Sequence, residues 1–246
     1  MGRKLFVICA ALLSAGCVSA ATIVAGGPAT KSNFFPFGAA YTNEYQQVYM
    51  SSVFSGLGTI SITGLIFYAD EGAGNGAAIN SGDWTISLST TLAKWDTLST
   101  TPTQNIGSDN TTVFSGSLAR PLGSGRMLEI VFTQPFTYDP TQGNLLMDVW
   151  ASNVVAPVVG NIPFELSDEN RIMGRVYYNS VLGAYYPTFG AGLVTGFTYS
   201  AAGASEVPEP ASVVLMGFAL LVLATVVTRF PQALRPADAS RRPPTR

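Results

Sequence analysis

The sequence predicts an all-β domain over residues 22–204, built as a sandwich or barrel. Three observations carry that prediction. Short runs rich in β-branched and aromatic residues recur at fairly even spacing, several of them alternate apolar with polar positions, and clusters of Gly, Pro, Asn and Asp separate them. The expected strands lie at 45–54, 60–68, 84–90, 112–118, 127–133, 144–152, 172–178 and 193–199, enough for two packed sheets.

Alternation is clearest in the second and third of these. In the run from Ile60 through Ile62 and Ile66 to Tyr68 the even positions are mostly apolar, and in Trp84-Thr85-Ile86-Ser87-Leu88-Ser89 the pattern is unbroken. A period of two gives a strand one buried and one wet face. Trp84 and Trp150, inside strands, are expected in the core. Turns are expected at 72–76, 102–110, 123–125 and 139–143, and the Ser- and Thr-rich run 97–112 as a long exposed loop. No stretch of 22–204 sustains a helical period, which argues against an α/β fold.

The N-terminal segment has another character. Arg3 and Lys4 precede a largely apolar run over 5–13, followed by small residues ending Val18-Ser19-Ala20. This three-part layout predicts a secretory signal peptide over 1–20, cleaved by signal peptidase after Ala20. Ser14-Ala15-Gly16-Cys17 approaches a lipidation site, with Ser14 where a Leu is usual, so lipidation of Cys17 is a variant of the same export reading. The only cysteines, Cys9 and Cys17, lie in this segment, and the chain has no His. A Ser-His-Asp triad, a Cys nucleophile and a Cys/His zinc site are thereby excluded from the mature domain. Six basic residues stand against thirteen acidic ones over 22–206, too few cations for a nucleic-acid surface.

At the other end, Val207-Pro208-Glu209-Pro210 leads into an uncharged stretch over 211–228, followed by Arg229, Arg235, Arg241, Arg242 and Arg246. Eighteen residues of helix measure about 27 Å, enough to span a thin bilayer core. The positive residues beyond it put the tail, a disordered basic segment over 231–246, in the cytoplasm. The signal peptide gives the same orientation independently. Two prolines around Glu209 hold that segment extended ahead of the helix.

Val207 to Ser212, the apolar helix behind them and Arg229 resemble the PEP-CTERM protein-sorting domain of Gram-negative bacteria, over 207–230. The resemblance implies export across the inner membrane, a single-pass intermediate, processing by an exosortase-type enzyme near the Pro-Glu-Pro motif, and delivery to the cell surface or extracellular biofilm matrix. Members usually stop soon after the Arg cluster, whereas this chain continues to residue 246. A second resemblance covers about half of the domain. The stretch from Phe136 through Asp139, Gly143 and Asn144 to Asp148 is similar to a turn and core strand of many exported bacterial β-sandwich proteins, Gln47-Val48-Tyr49-Met50 followed by Ile60 to Tyr68 adds to the likeness, and together they imply a jelly-roll-like sandwich.

Candidate site residues are few. Asp70, Glu71, Asn75 and Asp83 offer oxygen ligands of the kind calcium takes, although their spacing matches no defined calcium loop. Tyr185 and Tyr186, placed in a turn over 183–187, are the aromatic candidates for stacking on sugar rings. No acidic pair sits in a catalytic motif. The expectation is a non-enzymatic surface or matrix protein, without a required cofactor, that adheres to extracellular polysaccharide. The alternatives are a polysaccharide-active enzyme using carboxylates, or a purely structural surface protein.

Overall fold

The computed structural model describes residues 20–39, 43–73, 77–79, 81–155, 161–168 and 171–202, which belong to one compact unit. The signal segment up to Ser19, the sorting residues Val207, Pro208, Glu209, Pro210 and Arg229, the span 211–228 and Asn75 lie outside the described residues. Among the described residues no helix is long and apolar enough to cross a membrane.

The described unit is all-β. Its strands are β1 (Ala21–Ala25), β2 (Lys31–Asn33), β3 (Glu44–Tyr49), β4 (Ile60–Tyr68), β5 (Asp83–Thr91), β6 (Thr111–Gly116), β7 (Met127–Tyr138), β8 (Asn144–Ser152), β9 (Phe164–Ser167), β10 (Met173–Asn179), β11 (Ala184–Thr188), β12 (Gly192–Leu193) and β13 (Thr195–Ala201). They form a four-stranded sheet ordered β1-β13-β4-β7, a six-stranded sheet ordered β11-β10-β3-β8-β5-β6 and a small sheet ordered β12-β9-β2. Every pairing is antiparallel.

The two larger sheets pack face to face, and the period of two in their strands decides which residues meet. From the six-stranded sheet come Tyr45, Tyr49, Trp84, Ile86, Leu88, Leu145, Met147 and Val149, and from the other Ile60, Ile62, Phe67, Leu128, Ile130 and Phe197, all in one buried cluster. Tyr49 and Phe197 meet edge to face across the sandwich at 4.9 Å between ring centroids. Phe37 fills the same core between Phe67 and Trp84, at 4.7 and 5.4 Å. Trp84 is therefore a core residue, as its strand position predicts.

Strands β4 and β8 carry the limits their sequences predict, whereas other elements differ for identifiable reasons. The first expected strand stops at Tyr49, because Asn144 Oδ1 takes the Ser51 N–H at 2.9 Å and the chain turns into a short 3-10 segment, Ser51–Phe54. The last expected strand divides at Val194, whose N–H bonds the Glu165 carbonyl at 3.0 Å, so Leu193 joins the small sheet and Thr195 the four-stranded one. Strand β7 runs on to Tyr138 with an irregularity opposite Thr63, and there Thr133 Oγ1 and Gln134 Nε2 donate to carbonyls of β6 at 3.0 and 2.8 Å. This ties one edge of each large sheet to the other. Their opposite edges are β1 and β11.

The run 97–112 is not simply an exposed loop. Leu98 is buried beneath it with Val48 and Leu146 on the outer face of the six-stranded sheet. Asn105, also buried, accepts the Ser99 N–H at 2.8 Å and donates to Gln46 Oε1 at 2.9 Å. The loop is a polar-stitched cap over part of that face. The chain just before it approaches the sheet so closely that a Cβ on Gly174 would lie 2.2 Å from the Trp95 carbonyl oxygen.

Candidate functional site

Beyond the cap the outer face of the six-stranded sheet is open, and one row of side chains crosses five strands. Tyr185 on β11 is paired with Tyr178 on β10. Glu44 on β3 follows, one place beyond the Tyr177 to Tyr45 pair. Glu44 is paired with Trp150 on β8, and Trp150 with Thr85 on β5. At the spacing of neighbouring strands, Tyr178 and Trp150 stand about 10 Å apart. Trp150 is 49% exposed. The expectation of a core Trp150 fails because it holds an outward position of β8, between inward Val149 and Ala151.

A second row lies between this one and the cap, with Gln46, Asp148, Ser87 and Thr112 in register. The two rows meet at a pair of carboxyls. Asp148 hydrogen-bonds Glu44, while Glu44 accepts the Tyr185 hydroxyl at Oε2, 3.0 Å, and Gln46 Nε2 at Oε1, also 3.0 Å. Burial and the neighbouring Glu44 push the Asp148 carboxyl up to about 7, against a weaker pull from Gln46. Its Oδ1 is enclosed without a hydrogen-bond partner. Burial first, then the bond to Glu44, raises the Tyr185 phenol to about 12. Asp148 thus holds its proton to higher pH than an exposed carboxyl, and the bond to Glu44 uses that proton.

Tyr185 and Tyr186 do not form one site. The turn ends earlier than expected, because Asn179 Oδ1 takes the N–H groups of Val181 and Leu182 and Gly183 supplies a positive φ of 63°. Both tyrosines are therefore in strand β11, where adjacent side chains point to opposite faces. Tyr185 stacks edge-on with Tyr178 at 5.5 Å on the outer face, and Tyr186 meets Tyr177 at 6.2 Å on the inner one. Pro187 read as a turn residue, yet an edge strand tolerates its missing N–H.

The acidic loop is not drawn together either. Asp70 Oδ1 takes the Gly72 N–H at 2.8 Å, Asp83 Oδ2 takes Asn153 Nδ2 at 2.7 Å, and Glu71 is exposed, its carbonyl accepting from Arg126 Nη1 at 2.9 Å. No group of three or more His, Cys, Asp or Glu suited to a metal ion occurs among the described residues. Ala20, the expected cleavage position, is exposed and immediately precedes β1.

The carboxyl pair was not singled out in the sequence, although a signal exists. Glu44 with Gln46, and Asp148 with Trp150, are two apart on strands, so each couple shares a face. What the sequence lacks is the register that brings the couples together. Compared with family models, curated proteins and solved structures, the chain matches none.

Proposed function

We propose that this chain is an exported cell-surface or matrix protein, sorted through a PEP-CTERM-type segment, whose jelly-roll-like sandwich binds extracellular polysaccharide without cleaving it. The observation that carries the binding part is the row Tyr185, Tyr178, Glu44, Trp150. Half-exposed rings offer apolar area to sugar faces, and Glu44 between them offers carboxylate oxygens as acceptors for hydroxyls. Direct hydrogen bonding between Asp148 and Glu44 favours binding over hydrolysis, since glycosidase carboxyls stand about 5–9.5 Å apart to flank the scissile bond.

The expected result is that Trp150→Ala weakens binding to a neutral matrix glycan at least about tenfold in affinity electrophoresis, in line with losing a buried aromatic contact. Tyr185→Ala weakens it less, and Tyr186→Ala on the other flank leaves it unchanged. Equal binding by wild type and Trp150→Ala rejects this face as the site. Release of sugar fragments that is lost in Asp148→Asn supports the enzyme instead.

The sorting part is separately testable. Replacing Pro208 and Pro210 with Ala is expected to hold the protein in the inner membrane at its unprocessed length, seen by fractionation and immunoblotting. Unchanged processing and delivery of that variant defeat the sorting reading.

A further inference from the structure

Arg175 lies on the inner side of β10, paired in register with Gln47 and Thr188. Its Nε and Nη1 are enclosed and have no hydrogen-bond partner. The guanidinium sits 5.4 Å from the centre of the Tyr177 ring, a cation–π contact, and also hydrogen-bonds the Tyr45 hydroxyl, which leaves Nε and Nη1 unused. The neighbouring Tyr45 hydroxyl gives its proton to Gln47 Oε1 at 2.6 Å. No carboxylate among the described residues forms an ion pair with Arg175. An enclosed cation with two idle donors costs stability, because one hydroxyl and one ring offset only part of the cost of removing it from water. A residue serving only the fold would gain from losing that charge.

Tyr177, the ring next to the guanidinium, itself meets the rings of Phe35 and Tyr186 at 5.7 and 6.2 Å. Tyr186 is 48% exposed on the edge strand β11. We propose that this inner flank of the β10–β11 hairpin is a second binding site, which takes the carboxylate of an acidic sugar. Nε–H and Nη1–H lie on different sides of the guanidinium, so a carboxylate at either would accept one charge-assisted hydrogen bond. Tyr177 and Tyr186 provide the aromatic surface for the sugar ring, with Tyr186 swinging outward to admit it. The sugar half of this assignment rests on the polysaccharide reading above. The anion half rests on Arg175 alone, and the two sites lie on opposite faces of β10 and β11.

The test is calorimetric titration of the full chain in detergent with an oligogalacturonate and with the same oligomer after reduction of its carboxyls. Wild type is expected to bind the acidic oligomer at least about tenfold more tightly, the value of one charge-assisted pair. Arg175→Met is expected to abolish that preference and to raise the thermal midpoint, since the enclosed charge is gone and the stem volume is kept. Trp150→Ala leaves the acidic preference in place, so loss of neutral-glycan binding and loss of this site are separable. Equal affinity for the two oligomers, or an Arg175→Met variant that melts lower and keeps the preference, overturns the proposal.

Discussion

Asp148→Asn is expected to make the protein more stable at pH 8 and to remove a decline in stability that the wild type shows as pH rises from about 4 to about 7. The sign follows from the direction of the shift. Asp148 is raised from its ordinary value to about 7, so within that window the folded state holds a proton that the unfolded state has released. Stability then falls with rising pH, with a limiting slope of about 1.4 kcal/mol per pH unit for one proton. Above pH 7 the wild type must carry a second negative charge against Glu44 on an oxygen that has no partner. The amide removes that charge and donates to Glu44 through its NH2. Chemical denaturation at pH 4, 6 and 8 measures the effect, and a gain of about 2 kcal/mol at pH 8 is expected. Parallel profiles for the two proteins show that the carboxyl pair does not control stability.

Gln47→Ala is expected to destabilise the domain by about 4 kcal/mol, through the loss of three enclosed hydrogen bonds and the space the side chain leaves. Gln47 points inward from β3 and is fully buried. Its Oε1 accepts the Leu193 N–H at 2.8 Å and the Tyr45 hydroxyl at 2.6 Å, while Nε2 donates to the Leu193 carbonyl at 2.9 Å. This amide replaces a strand partner for the end of β12, which pairs with β9 on its other side. The approach is close, since a Cβ on Gly192 would lie 2.7 Å from the Gln47 amide carbon. Urea denaturation reads the loss. A variant within about 1 kcal/mol of wild type shows that water enters to satisfy Leu193.

How much of this was legible in the sequence depends on whether a feature is local or set by register. The limits of β4 and β8 are local, because apolar runs bounded by turn residues define them, and the sequence placed them correctly. Strands β2 and β9 are only three and four residues long, too short to show a period, and exist because they pair with each other. Strand β11 was hidden by Pro187 and Gly183, which read as turn chemistry although one lies in the strand and the other just before it. The acidic pair needed knowledge that β3 and β8 are neighbours with Gln46 opposite Asp148. Arg175 stood in an expected strand, and only the enclosure of its nitrogens makes it distinctive.

The pairing of β1 with β13 bears on how the domain can be presented. Ala21 lies opposite Tyr199, so the first strand begins on nearly the same rung where the last one ends. Chain entering at residue 20 and chain leaving at residue 202 share one corner of the four-stranded sheet, whereas the aromatic row belongs to the six-stranded sheet. Both ends of the described unit therefore emerge side by side at the edge of one sheet, and Trp150 lies in the other sheet, so a fusion or surface attachment made through either end is expected to leave Trp150 accessible to solvent probes.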